Sequence, residues 1–528
     1  MIKVKIETEL QSFEPDIRDL CMAFFPYEKI VIDNSENHGD ELQDFKICRD
    51  EFCELENRSG KTVQWTVFHR EPVCINYFFN GKLTGDRKKD KSEIKRQLYD
   101  YLSEITGKKL LWGTLTGIRP VTIVTDMIES DGARKARPYE KKIVKQREPA
   151  TCRGELCEPE VLSCHNAEIK NYLKKEYYIS DEKADRLITI AKKEIEVLNR
   201  KEVSDYKDRY SMYIGVPFCK STCLYCSFTS FNISKFGNYV GKYLDALEKE
   251  LASSERTCTW KPMTLYIGGG TPTSLDEKDF ERLLNIVDKY VDKTNCIEYT
   301  VEAGRPDTIT YEKLKLMKEH GVGRISINPQ TFNQKTLDLI GRKHKVSDVT
   351  EKYYMAREIG FDNINMDIIL GLPDERIYEV MKTLFNIYKL KPDSLTVHSL
   401  ALKRAARLNY ELDSWVADHY LAGLIDMDRS EGKRTIDKMY KYSDMLSRVL
   451  KFEPYYLYRQ KNMAGNLENV GYSKSGKECI YNIMMMSERH TVHGFGTATT
   501  KEVYYENGGK RIENILGYKS VVDYCNNV

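Results

Sequence analysis

The chain has 528 residues, long enough for two or three domains. Its 82 basic and 80 acidic side chains nearly cancel, leaving a formal net charge of +2, which argues against a nucleic-acid protein that binds by global basicity. No run approaches the ~18 consecutive apolar residues of a membrane span, and Met1-Ile2-Lys3-Val4-Lys5-Ile6-Glu7 lacks the apolar core of a signal peptide, so a cytoplasmic location is expected. The 14 cysteines then read as metal ligands where they cluster and as small buried hydrophobes elsewhere.

Residues 1–130 carry mixed signals and are expected to form an α+β domain. Lys3–Glu7 alternates charged and apolar residues, Thr62–Phe68 and Val73–Phe79 are rich in β-branched and aromatic residues, and Ser92–Ile105 has helical spacing. Thr116-Gly117-Ile118-Arg119-Pro120 reads as a turn with an exposed arginine. Residues 131–165 are charged and poorly periodic, with prolines at 138, 149 and 159. Cys152, Cys157, Cys164 and His165 lie there at intervals irregular for a zinc knuckle, so a mobile insertion is expected. Residues 166–205 form a helical linker, with a capped amphipathic helix over Ser180–Leu198.

From residue 206 to 405 the pattern becomes regular. Six strand candidates, Tyr210–Val216, Thr264–Ile267, Ile297–Val301, Arg324–Ile327, Ile364–Leu370 and Ser394–Leu400, alternate with helical segments. That alternation implies parallel strands with right-handed crossovers, and six units suit a partial (βα)6 TIM-like barrel. Chemistry in such folds gathers at the C-terminal ends of the strands. Residues 406–528 are expected to be mainly helical and to cover the open side of the barrel.

Directly after the first barrel strand comes Cys219-Lys220-Ser221-Thr222-Cys223-Leu224-Tyr225-Cys226, a C-x3-C-x2-C loop. Zinc sites and iron-sulfur clusters both usually take four protein ligands. Three close thiolates can hold three irons of a 4Fe-4S cube and leave the fourth to a small-molecule chelate, such as the amino and carboxylate groups of S-adenosylmethionine (SAM). The alternative is a structural zinc loop with a distant fourth ligand; the position of the loop at the opening of six strand–helix units favours the cluster. Polar residues recur at the following strand ends. Tyr266-Ile267-Gly268-Gly269-Gly270-Thr271 follows the second strand, Glu302 ends the third, Asn328-Pro329-Gln330 follows the fourth and Asp367 lies on the fifth.

These motifs resemble the radical SAM superfamily and, within it, the oxygen-independent coproporphyrinogen III oxidase family. The resemblance is strong over about residues 206–410 and looser over 450–525, and it looks closest to the coproporphyrinogen dehydrogenase subgroup with a long N-terminal extension. Val397-His398-Ser399-Leu400 and Tyr455-Tyr456-Leu457-Tyr458-Arg459-Gln460-Lys461-Asn462-Met463 support it. It implies a 4Fe-4S cluster on Cys219, Cys223 and Cys226. It implies SAM contacts from Tyr213, the glycines Gly268, Gly269 and Gly270, Thr271, Glu302, Gln330, Arg342 and Asp367. Glu302 and Asp367 would suit the ribose hydroxyls or the amine, and Arg342 the carboxylate. Two positions depart from the oxidase pattern: Gly215 stands where those enzymes have histidine, and Phe228 where they have a further cysteine.

The reaction implied is oxidative decarboxylation of two propionates of coproporphyrinogen III to vinyls, giving protoporphyrinogen IX in haem biosynthesis. The partners implied are that tetrapyrrole and a low-potential electron donor such as flavodoxin or ferredoxin. Its four carboxylates require cations, and Lys403, Arg404 and Arg407 follow the sixth strand, while Arg459 lies in an aromatic segment. A haem-binding chaperone with the same barrel, with His398, His490 or His493 as axial ligand, and a radical SAM haem-degrading methyltransferase are the competing readings.

Overall fold

The computed structural model describes residues 2–6, 8–25, 30–33, 53–56, 62–65, 73–77, 79–117, 119–133, 159–228, 230–253, 260–403, 405–412, 415, 419–422, 435–460, 463–506 and 509–528. Arg404 and residues 134–158 of the charged insertion, with Cys152 and Cys157, lie outside them, whereas Cys164 and His165 belong to helix Pro159–Tyr177, which crosses the expected boundary of that insertion. The chain divides into two units. One comprises Met1–Ile118, Ser130–Ile188 and Gln460–Asn466; the other comprises Arg119–Glu129, Thr189–Arg459 and Leu467–Val528.

The first unit holds β1 (Ile2–Lys5), β2 (Ile30–Asp33), β3 (Cys53–Glu56), β4 (Thr62–Trp65) and β5 (Val73–Asn76). Strands β2, β1 and β5 form a parallel sheet in that order, and β3 and β4 pair antiparallel. Helix Arg87–Thr106 is longer than its apolar spacing suggests. The Asp86 carboxylate accepts from the Lys88 and Lys89 amides, and left-handed Gly107 ends the helix. Its Ile94, Leu98 and Leu102 share one core with Ile17, Leu20 and Phe24 of helix Glu14–Phe24.

The second unit holds β6 (Tyr210–Val216), β7 (Phe218–Cys219), β8 (Phe231–Asn232), β9 (Thr264–Gly269), β10 (Glu298–Gly304), β11 (Arg324–Ile327), β12 (Ile364–Leu370) and β13 (Ser394–Ser399). Strands β6, β9, β10, β11, β12 and β13 are successive parallel neighbours, which is the expected six-strand arc. Every residue of β11 is buried, as a strand covered on both faces requires. The crossover helices are amphipathic. Glu277–Tyr290 starts where the Asp276 carboxylate accepts from the Asp279 amide, and it buries Phe280, Leu283, Leu284, Ile286 and Val287.

The C-terminal region departs from the expected mainly helical structure. It adds β14 (Glu453–Tyr458), β15 (Asn469–Ser473), β16 (Thr491–Gly496), β17 (Thr500–Glu506) and β18 (Gly509–Ile515) to the same sheet. β16 runs parallel to β6, and β15 runs antiparallel to β13, so both free edges of the arc are paired. These strands are rich in tyrosine and glycine rather than in long apolar runs. Their periodicity is faint because aromatic rings fill the space that glycines leave. Arg119 is not the exposed arginine expected of its turn. It is ion-paired with Glu488 and its side chain is only one-quarter exposed.

Gly471 of β15 carries a specific consequence. A Cβ there would stand 1.8 Å from Cε1 of the buried Tyr456 ring on β14. Gly471→Ala is therefore expected to lower stability by about 1–3 kcal/mol through overpacking. A urea denaturation midpoint equal to that of the wild type would show that the ring moves aside freely.

Candidate active site

The cysteine loop leaves the barrel after β6 and is pinned at several points. The Leu224 amide donates to Ile340 O (3.0 Å), the Leu408 amide to Leu224 O (3.0 Å), and Ser221 Oγ to Gly341 O (2.9 Å). Cys223 is buried, and Cys219 and Cys226 are half-buried. Cys219 Sγ lies 3.4 Å from Thr271 Oγ1. Burial pushes the Cys226 thiol up to about 11 and also raises that of Cys219. Among the described residues no group of three His, Cys, Asp or Glu side chains has the closeness that one metal ion demands. A four-iron cube takes each thiolate at a separate corner and asks for wider spacing.

The end of β9 lies against this loop. The Gly270 amide donates to Val216 O and the Thr271 amide to Phe218 O, both at 2.7 Å. A Cβ on Gly270 would stand 2.5 Å from Phe218 O, and Gly269 has φ +106°, so neither position tolerates a side chain. A Cβ on Gly268 would press on the Glu302 carboxyl at 3.0 Å. The strip is bare backbone packed against the cysteine loop and the Glu302 carboxyl.

Glu302 of β10 accepts from Tyr266 OH at 2.6 Å. Burial, aided by the negative charge of Asp367, raises its pKa to about 7 despite that hydrogen bond. Tyr266 stacks on Tyr481 at 4.5 Å, and Tyr213 stacks on both rings at 5.9 and 6.0 Å. Asp367 of β12 accepts from Asn365 Nδ2 at 2.7 Å and faces His398 Nε2 at 3.8 Å. Burial works against its charge, but contacts with His398, Asn365 and Thr396 outweigh burial and hold the carboxyl below the usual range.

Gln330 has φ +63°, and its backbone bridges to β12 through Asp367 O (2.9 Å) and the Ile369 amide (3.0 Å). Arg342 is buried and donates through Nη1 to Asn328 O at 2.6 Å. Burial opposes its charge, but Tyr225 and Cys223 beside it keep its pKa above the ordinary value. Three buried atoms here lack a hydrogen-bond partner: Asn328 Oδ1, Gln330 Oε1 and Arg342 Nε. Buried polar atoms rarely stay unpaired. Two amide oxygens and a guanidinium N–H are the complement of an ammonium and a carboxylate, so these residues fit the amino-acid end of SAM.

The expected substrate cations Lys403, Arg407 and Arg459 have different surroundings. Lys403 Nζ sits 5.1 Å from the centre of the Phe228 ring, and burial lowers its pKa against the attraction of Cys226. Arg407 is exposed, with Nε 3.7 Å from Glu411 Oε1. Arg459 is a correction. It is buried, and burial lowers its pKa to about 10 with Glu468 opposing, so it is not an open arm for substrate. Of the histidines considered as axial ligands, His490 is buried against Tyr206 O at 2.7 Å, and His493 packs between Tyr210 and Trp260, at the N-terminal end of β6. His398 alone of the three stands by Asp367. Sequence reasoning missed Asn365, although it lies two residues before Asp367 and hence on the same face of the strand. It also missed Tyr266 and Tyr481, whose partnership depends on tertiary packing.

Residues 213–384 match the family described as the radical SAM superfamily. A Bacillus subtilis protein, the oxygen-independent coproporphyrinogen-III oxidase-like protein HemZ, is 35% identical over 442 residues, covering 82% of this chain and 78% of that protein. The chain belongs to this radical SAM, coproporphyrinogen-oxidase-like family. Radical SAM proteins of this kind use a 4Fe-4S cluster and SAM. The haem chaperone HemW of Bacillus subtilis is 38% identical over 195 residues, covering 37% of this chain and 51% of the chaperone. The oxygen-independent coproporphyrinogen III oxidase of Escherichia coli is 30% identical over 201 residues, covering 38% and 44%. The solved structure of that oxidase, HemN, aligns with a TM-score of 0.45 at 19% identity, over 58% of this chain and 69% of the other. Among the described residues no helix is long and apolar enough to cross a membrane.

Three measurements test the site of this radical SAM chain. Replacing Cys219, Cys223 and Cys226 together by alanine is expected to abolish iron and sulfide uptake on anaerobic reconstitution. Asp367→Ala should leave that uptake intact and weaken SAM binding roughly tenfold or more, read by anaerobic calorimetry. Glu302 provides a pH signature. Its folded pKa of about 7 lies above the ordinary carboxyl value, so its contribution to stability is full below the ordinary value and is lost as pH rises through about 7. In Glu302→Gln, stability measured by urea unfolding should therefore fall less than in the wild type between about pH 5 and about pH 8.

Proposed function

We propose that this chain is a cytoplasmic radical SAM oxidoreductase that decarboxylates coproporphyrinogen III. The observation that carries this reading is the extent of likeness. The match to the oxidase-like protein runs over 82% of the chain, whereas the match to the chaperone covers 37%. In this reading the cluster is held by Cys219, Cys223 and Cys226, and SAM by the glycine strip, Thr271, Glu302, Gln330, Arg342 and Asp367. When bound, SAM and the cluster together supply the radical that removes a hydrogen atom from the β-carbon of a propionate. The carbon–carbon bond to the carboxylate then breaks, carbon dioxide leaves, one electron passes to an acceptor and a vinyl remains.

The chain's own residues supply binding and exclusion. The ring of Phe228 is 69% exposed beside the cysteine loop, with the Lys403 ammonium over it. A flat apolar face next to a cation suits a tetrapyrrole bearing propionates. The aromatic stack of Tyr213, Tyr266 and Tyr481 fills the space beside Glu302, which keeps water from the reacting centre. A low-potential protein such as flavodoxin or ferredoxin delivers the electron that starts each turnover.

The test is an anaerobic assay with reductant, SAM and coproporphyrinogen III, with mass detection of mono- and di-decarboxylated products. Both are expected. Lys403→Ala should raise the apparent KM for the tetrapyrrole about tenfold, the value of one charge-assisted contact, while SAM binding and cluster content stay unchanged. Formation of 5'-deoxyadenosine without carbon dioxide loss, together with transfer of bound haem to an acceptor, would replace this reading by a chaperone. Methylated, ring-opened haem would replace it by haem degradation.

A further inference from the structure

One buried cation beside the cysteine loop has no part in the chemistry above. Arg305 follows the last residue of β10 and is only 2% exposed. Its Nε lies 3.1 Å from Asp307 Oδ1, and its Nη2 donates to Asp307 Oδ2 at 3.3 Å. The third nitrogen, Nη1, turns to the cysteine loop. It donates to Ser221 Oγ at 2.7 Å and Ser221 O at 3.1 Å, and it reaches Cys223 Sγ at 4.0 Å. Lys220 of the same loop closes the arrangement, donating to Asp307 O at 3.1 Å and standing 3.4 Å from Asp307 Oδ2. The guanidinium is thus held in an oriented ion pair, with its carboxylate at one side and Nη1, bonded to Ser221, within reach of a cysteine sulfur.

From this geometry we infer that Arg305 is a positioning residue that raises the reduction potential of the cluster. The inference rests on the assignment of the cluster to Cys219, Cys223 and Cys226. Reduction adds one electron and hence one unit of negative charge, shared among irons, sulfides and thiolates. A hydrogen bond and a positive charge at a thiolate stabilise the reduced state more than the oxidised one. The effect is large here because the guanidinium is buried, where charges are weakly screened. Anchoring alone does not require a guanidinium pointed at sulfur: Ser221 is already tied to Gly341 O, and Leu224 to Ile340 O. No bond to Arg305 forms or breaks during reduction. The electron comes from an external low-potential one-electron donor.

The experiment is a redox titration of the reconstituted full-length chain, followed by the paramagnetic resonance of the reduced cluster, with iron and sulfide measured on the same samples. Arg305→Gln is expected to hold wild-type amounts of iron and sulfide and to show a midpoint shifted to more negative potential. Arg305→Lys, which retains the charge, should return part of the shift. Asp307→Asn removes the opposing charge and leaves the guanidinium, so its midpoint should move to more positive potential; this variant keeps the inference testable if Arg305→Gln fails to fold. An unmoved midpoint in Arg305→Gln with full iron content overturns the inference alone. So does a loss of iron in Arg305→Gln combined with an unshifted or more negative midpoint in Asp307→Asn. A wild-type chain that takes up no iron removes the cysteine assignment, and the inference falls with it.

Discussion

The site depends on a close backbone contact between two neighbouring strand ends. Where β9 meets the loop after β6, two amide hydrogen bonds of 2.7 Å draw Gly270 and Thr271 onto Val216 and Phe218. At position 270 only a residue without a Cβ can come so near, since Phe218 O would otherwise be overlapped. The contact ties the cysteine loop to the glycine strip at the end of β9. The two halves of the site are therefore positioned by main-chain geometry, and the side chains of Thr271, Glu302 and Asp367 are arranged around a frame that already exists.

Around that frame burial is used with opposite results. Both carboxyls are buried, yet Glu302 is pushed up, in part by the charge of Asp367, and Asp367 is held down. The difference lies in their neighbours. Asp367 has the Asn365 amide, the Thr396 hydroxyl and the His398 imidazole to meet its charge, whereas the Tyr266 hydroxyl, the Gly269 amide and the more distant Arg324 do not offset burial and the repulsion of Asp367 at Glu302. Environments that separate two carboxyl groups in this way give one group able to donate a hydrogen bond and another that only accepts.

The six-strand arc and the cysteine loop were legible because their signals are local. Each barrel strand is a short apolar run followed by an amphipathic helix, and the loop is a fixed spacing of one residue type. The C-terminal strands were not legible. β15 and β16 owe their place to edges offered by β13 and β6, and their tyrosines and glycines have meaning only against partners far along the chain. Arg459 was misread for a related reason. An arginine in an aromatic segment looks the same in sequence whether it lies at a mouth or, as here, within a core. His398 could be placed on its strand, but its approach to Asp367 comes from the register between β12 and β13.

The pairing of β16 with β6 sets an order of events during synthesis. β6 is made early in its unit, and its outer edge finds a partner only when residues 491–496 have left the ribosome. Until then the nascent barrel carries an open strand edge directly before the cysteine loop. Long-range pairing of this kind folds slowly and exposes the chain to association with other chains. An unfinished chain thus presents its cysteine loop before the strand that flanks β6 is built.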